Sequence, residues 1–146
     1  MDYILASLFA LMVGTLAVYY QRLTARAHAL SRAHTCLVQS VNTHAVALAQ
    51  HAQTNQSLHT VQGMLRRLHA IQTLGLPAID QQMEVYDALW SLQENSASPK
   101  LMEQYIQIQA LKSVYNKTAL AYNDCQRSGL QSRLASLFGH DMAPPC

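Results

Sequence analysis

A chain of 146 residues holds one domain with one modest core, and its five Gly and four Pro exclude a loop-rich all-β fold or low-complexity disorder. Hydrophobic residues make up 50% and charged residues only 12%, against roughly 25% in an ordinary soluble domain, so Gln, His, Asn, Ser and Thr make the exterior polar. Ten Lys and Arg against eight Asp and Glu leave +2 with no block of like charge, which excludes a nucleic-acid binder built on a basic stripe.

Residues 3–20 (YILASLFALMVGTLAVYY) carry no charge and come close to the length needed to cross a bilayer. Tyr3 at one end and Tyr19 with Tyr20 at the other stand where interfacial aromatic rings are expected. A cleaved signal peptide wants a basic start and a small-x-small cleavage site. Asp2 and Val18-Tyr19-Tyr20 occupy those places instead, so residues 1–21 read as a retained anchor. Arg22, Arg26 and Arg32 follow the span while only Asp2 precedes it. The positive-inside rule then puts the body in the cytoplasm and the N-terminus outside. Within the span Ala6, Ala10 and Gly14 recur every four residues, a small-residue face on which two helices can approach closely in lipid.

The rest reads as an all-α antiparallel helical bundle over residues 22–139. Leu23, Leu30 and Leu37 recur every seven residues, with Ala27, Val41 and Leu48 filling the adjacent seam and Val61, Leu65 and Leu68 continuing it. One rod from the anchor to Leu74 would run roughly 110 Å, so a helix reversal is expected between Asn42 and Ser57. Gly75-Leu76-Pro77 marks the next boundary. Ile79, Met83, Tyr86 and Trp90 then define a buried face, and Ser98-Pro99 reads as an N-cap followed by a first-turn proline. Leu101, Tyr105, Ile108, Leu111, Tyr115, Ala119 and Tyr122 carry the last long stripe. A short amphipathic piece with Leu130, Leu134, Leu137 and Phe138 stops at Gly139, ahead of a Pro-containing tail, residues 140–146.

The chemistry-bearing residues form no recognisable reaction centre, and no catalytic residue, metal ligand or cofactor site is assigned. Cys36, Cys125 and Cys146 are odd in number and show no Cys-x-x-Cys pair, which suits reduced thiols on the cytoplasmic side. His28 and His34 are six apart, His34 and Cys36 diverge, and His44 and His51 share a face about 10 Å apart along the axis, too far to share an ion. A His44/His51 layer in the apolar seam reads as a polar register device or as solvated surface ahead of a pH sensor. Asp80, Glu84 and Asp87 lie close on one helix, near a start where acids complement the macrodipole.

Tyr115-Asn116 and Tyr122-Asn123 are Tyr-Asn dipeptides seven residues apart, followed by Leu137-Phe138-Gly139 and then Pro144-Pro145. This pattern resembles the LemA family, as a divergent member. Gln93-Glu94-Asn95 and Tyr105-Ile106-Gln107-Ile108-Gln109 are similar to further family segments. The resemblance covers residues 89–145 and implies a single-pass bacterial inner-membrane protein with a cytoplasmic helical bundle and no assigned catalytic residues. On the residues themselves, Tyr115 and Tyr122 read as core aromatics, while Asn116 and Asn123 are free to bridge to backbone or to a partner helix.

Two non-enzymatic roles follow. One is a membrane-tethered scaffold that self-associates through helix–helix contacts, and the other is an accessory subunit of a larger membrane complex. In either case the partners are the bilayer and either a homo-oligomer or another membrane protein, with no nucleic acid. A Gln- and Ala-rich exterior with Trp90 and many Tyr is more comfortable when covered.

Overall fold

A computed structural model describes residues 2–52, 58–127, 136, 139–140 and 142–146. Among the described residues helix is the only repeating structure. Four α-helices, α1 (Asp2–Ala52), α2 (Leu58–Gln72), α3 (Ile79–Ser91) and α4 (Pro99–Gln126), are joined with two short 3₁₀ turns, Leu76–Ala78 and Glu94–Ser96.

The 51 residues of α1 make a rod roughly 75 Å long. Nothing in the sequence interrupts it: there is no proline, and its one glycine, Gly14, lies in the apolar arm. Leu23, Leu30, Leu37, Val41 and Leu48 are all buried on one face, as their spacing requires. Helix α1 ends at Ala52 and α2 begins at Leu58, at the far end of the expected window, and residues 53–57 lie outside the described residues. Val61 and Leu68 anchor α2 to the core while Leu65 is half-buried.

Gly75 adopts φ 73° and ψ −153°, a region open essentially to glycine alone. It turns the chain into the Leu76–Ala78 3₁₀ turn, so α3 begins at Ile79, two residues after Pro77. Ile79, Met83, Tyr86, Leu89 and Trp90 are buried, and Gln82 and Gln93 lie on the same face at helical spacing. The Ser98 hydroxyl accepts the Leu101 N–H at 3.4 Å, with Pro99 in the first turn of α4. Leu101, Ile108, Tyr115, Ala119 and Tyr122 form its buried stripe, and Tyr105 and Leu111 flank it.

The pairings define an up-down-up-down bundle. Tyr19 meets Cys125, Arg26 meets Ala121 and His34 meets Tyr115, so α4 descends along α1. Asn42 accepts a hydrogen bond from Gln72, which sets α2 antiparallel to α1. His44 meets Tyr86 and His51 meets Ser96, so α3 and the turn after it follow α1 upward. Asp87 joins α3 to α4 by accepting from Gln109 at 3.1 Å and pairing with Lys112 at 3.4 Å.

Candidate functional site

The first candidate is the N-terminal arm of α1. Tyr3, Ile4, Leu5, Leu8, Phe9, Leu11 and Met12 are all exposed. The most apolar 18-residue window of this helix has a mean hydropathy of 1.8, and none of it is buried. By length and composition the helix is able to cross a membrane, which is where such a row of side chains is stable. Ala6, Ala10 and Gly14 lie exposed along the arm, and a Cβ added at Gly14 would meet nothing within 4 Å. The arm joins the bundle at Tyr19, whose hydroxyl donates to the Cys125 carbonyl at 3.3 Å, and at Arg26, which donates to the Ala121 carbonyl. The last two turns of α4 therefore brace α1 where its exposed apolar arm begins.

The second candidate is a polar and aromatic layer in the core. The Trp90 and Tyr105 rings stack with centroids 4.3 Å apart and planes 7° from parallel, and Tyr86 lies 6.1 Å from Tyr105. His44 sits against Tyr86 and Trp90, with ring centroids at 5.9 and 5.7 Å, and its Nδ1 is 2.6 Å from the Tyr86 hydroxyl. Trp90 is therefore a core residue, on the buried face that its spacing with Ile79, Met83 and Tyr86 predicts, and it does not belong to an exterior awaiting a partner. His44 is 2% exposed, and burial lowers its pKa from the ordinary value despite an opposing pull from the Leu101 backbone. Its Nε2 finds no hydrogen-bond partner, nor do the Nε2 atoms of the buried Gln82, Gln93 and Gln126. His44 and His51 do not behave as one layer, since His51 Nε2 lies at the bundle's edge, 2.7 Å from the Ser96 carbonyl oxygen.

The third candidate is the Tyr-Asn repeat, and it has an occupant. Tyr115 and Tyr122 are buried, while Asn116 and Asn123 are half-buried beside them. The Asn123 side chain donates Nδ2–H to the Ala143 carbonyl at 2.8 Å and accepts the Ala143 N–H at 2.9 Å. Asn116 does the same to Cys146, at 2.7 and 2.9 Å. The Tyr115 hydroxyl donates to the Pro144 carbonyl at 2.9 Å, and the Tyr122 hydroxyl lies 3.1 Å from His140 Nδ1. Burial, with smaller effects from Cys146 and Asp80, pushes the Tyr115 hydroxyl up to about 12, so it keeps the proton it donates. Burial also raises the Cys146 thiol. Gly139, at φ 70°, turns the chain into this segment. Phe138 lies outside the described residues, as do Leu130, Leu134 and Leu137.

Sequence spacing placed the tyrosines and asparagines on adjacent faces but did not reveal what the asparagines hold. The available signal was the match between seven helical residues and the three-residue step from Ala143 to Cys146.

The remaining polar groups do not converge. Cys36 is exposed and Cys125 and Cys146 are half-buried, all three as free thiols. Among the described residues no three His, Cys, Asp or Glu side chains come together as a metal site. A groove of about 360 Å³ between α1 and α4 is lined by uncharged polar residues, Gln39, Ser40, Thr43, Gln104 and Gln107, together with the apolar Ile108 and Leu111. Of the acids on α3, Asp87 is engaged by Lys112 and Gln109 and pairs with neither Asp80 nor Glu84 in the contacts described. Comparison with protein-family models, curated proteins and solved structures finds no match to this chain.

Proposed function

We propose that this chain is a non-enzymatic, single-pass membrane protein of the LemA type that acts as a membrane-tethered helical scaffold. The observation that carries this reading is the continuity of α1: its exposed apolar arm and the backbone of the bundle are one helix. Tyr19, at the end of the apolar stretch, and Arg26, just past it, lock that helix to α4, so the arm's orientation is transmitted rigidly to the bundle. In the proposed topology the arm crosses the bacterial inner membrane with its N-terminus outside. Arg22, Arg26 and Arg32 then stand on the cytoplasmic side with the bundle.

The scaffold assembles through the arm. Ala6, Ala10 and Gly14 leave a strip with no side chain larger than a methyl group, and van der Waals packing between backbones drives association there. The Tyr-Asn repeat and the residues after it supply the resemblance to LemA proteins.

Gentle detergent extraction followed by native mass spectrometry tests the reading. A ladder of identical subunits is the expected result. One copy per large heteromeric assembly would instead make the chain an accessory subunit, and a bare monomer would overturn both roles.

A further inference from the structure

The Tyr-Asn repeat of α4 is built to read an extended peptide by its backbone. Each asparagine forms a two-bond clasp with one residue, taking its N–H and its C=O together, as a neighbouring strand would. The two clasps are seven residues apart on α4, about 10.5 Å along the helix axis. Ala143 and Cys146 are three residues apart, roughly 9–10 Å in an extended or polyproline II chain. The two rises match, so one straight helix holds both ends of the segment without bending it.

The residues between the clasps fit the same purpose. Pro144 and Pro145 have no N–H to satisfy, and their rings hold φ near the polyproline value before any contact is made. The segment therefore needs little ordering on binding. Over residues 143–146 the backbone N–H groups are those of Ala143 and Cys146, and both are taken. The Pro144 carbonyl is taken by Tyr115. Met142 and Pro145 are exposed, so recognition rests on the backbone, on the small Ala143 side chain and on the Cys146 thiol, which meets Asn116 Oδ1 at 3.6 Å.

We propose that this face of α4 is a peptide-binding rail that accepts the 142–146 segment of a second copy of the chain as well as its own. The hydrogen bonds described for residues 142–146, apart from those within the segment, land on α4, which supplies both clasps from a single helix. Exchange between copies breaks and remakes identical bonds, which makes it a low-cost route to assembly. Tethering in a membrane raises the effective concentration of the second tail. The proposal rests on the reading of the chain as a self-associating membrane protein and adds a second, cytoplasmic contact to the one between arms.

The test uses two differently tagged chains expressed together in membranes. One carries Asn116→Ala and Asn123→Ala, so its rail is disabled and its tail intact. The other is full length with Ala143→Pro and Cys146→Pro, which removes both donated N–H groups and leaves α4 untouched. Neither chain can form the two-bond clasps with its own tail, but the intact tail of the first fits the intact rail of the second. The expected result is severalfold more co-purification of this pair than of either variant with itself. A second measurement uses a fluorescein-labelled peptide carrying residues 140–146, added to the full-length proline variant in detergent. Saturable binding that disappears when Asn116→Ala and Asn123→Ala are added supports the rail.

Equal co-purification of all combinations, with helical circular dichroism retained in both variants, overturns the proposal. So does peptide binding that is absent or indifferent to the asparagines. A ladder of wild-type copies that persists unchanged in the Asn116→Ala/Asn123→Ala chain overturns tail exchange and leaves the scaffold reading standing. A monomeric wild type beside a complementary pair that still forms overturns the scaffold reading and supports the rail.

Discussion

His44 and Tyr86 share a 2.6 Å hydrogen bond in the middle of the core, between helices that are 42 residues apart in sequence. The imidazole is held neutral there because burial disfavours its charged form. His34, against Tyr115, is shifted the same way by the same cause. In both cases the folded-state pKa lies below that of the unfolded chain. Below about pH 6.5, the ordinary histidine value, the unfolded chain binds more protons than the folded one. Stability is therefore full above that pH and falls as the pH drops, until the folded-state values are passed. Thermal melts of the detergent-extracted protein between pH 7.5 and 5 should show this fall. The double variant His34→Gln/His44→Gln should flatten it, and an unchanged slope would defeat the assignment.

Trp90 is the largest side chain in the same layer and is stacked on Tyr105 from the facing helix. Trp90→Ala should cost about 3–5 kcal/mol through the cavity it leaves. Tyr86→Phe keeps the ring and removes only the partner of His44 Nδ1, a loss of about 1–2 kcal/mol. Chemical denaturation of the two variants should rank them in that order.

The tyrosines of the repeat differ from its asparagines in what they support. Tyr122→Ala removes a buried ring and should destabilise the bundle by about 3–5 kcal/mol. Tyr115→Phe gives up only the hydroxyl bond to Pro144 and should cost about 1 kcal/mol. A Tyr122→Ala protein as heat-stable as wild type would contradict the burial of that ring.

Gly14→Leu separates folding from association. A Cβ added there meets nothing within 4 Å and the position is exposed on the arm, so the melting temperature of the bundle should not move. Association in the membrane should weaken, because a leucine there holds a neighbouring helix away. Crosslinking yields in vesicles measure this, and yields equal to wild type would show that the small-residue strip plays no part.

The proposed topology predicts that a reporter fused after Cys146 works only if it is active in the cytoplasm. An alkaline phosphatase fusion at that position should be inactive, and full activity would reverse the orientation drawn from Arg22, Arg26 and Arg32.

What could be read directly from the residues was everything governed by local periodicity. A helix repeats every 3.6 residues whatever surrounds it, so Leu23, Leu30, Leu37, Val41 and Leu48 announce their shared face without any knowledge of the partner. Breaks with their own stereochemistry were equally plain: Gly75 holds a backbone conformation other residues avoid, and Ser98-Pro99 forms a helix start. The reversal after Ala52 carries no glycine or proline, and so its place was legible only as a range.

Only the tertiary structure decided which residues meet across the bundle. His44, Tyr86, Trp90 and Tyr105 come from three helices, and no pattern within one helix says that a histidine will be buried among aromatics instead of solvated. The same holds for Asn116 and Asn123. Their seven-residue spacing was visible, but the backbone they clasp lies 20 to 30 residues further along the chain. Periodicity fixes which way a side chain faces along its own axis, whereas its partner depends on how the helices pack, and packing is settled by the whole core at once.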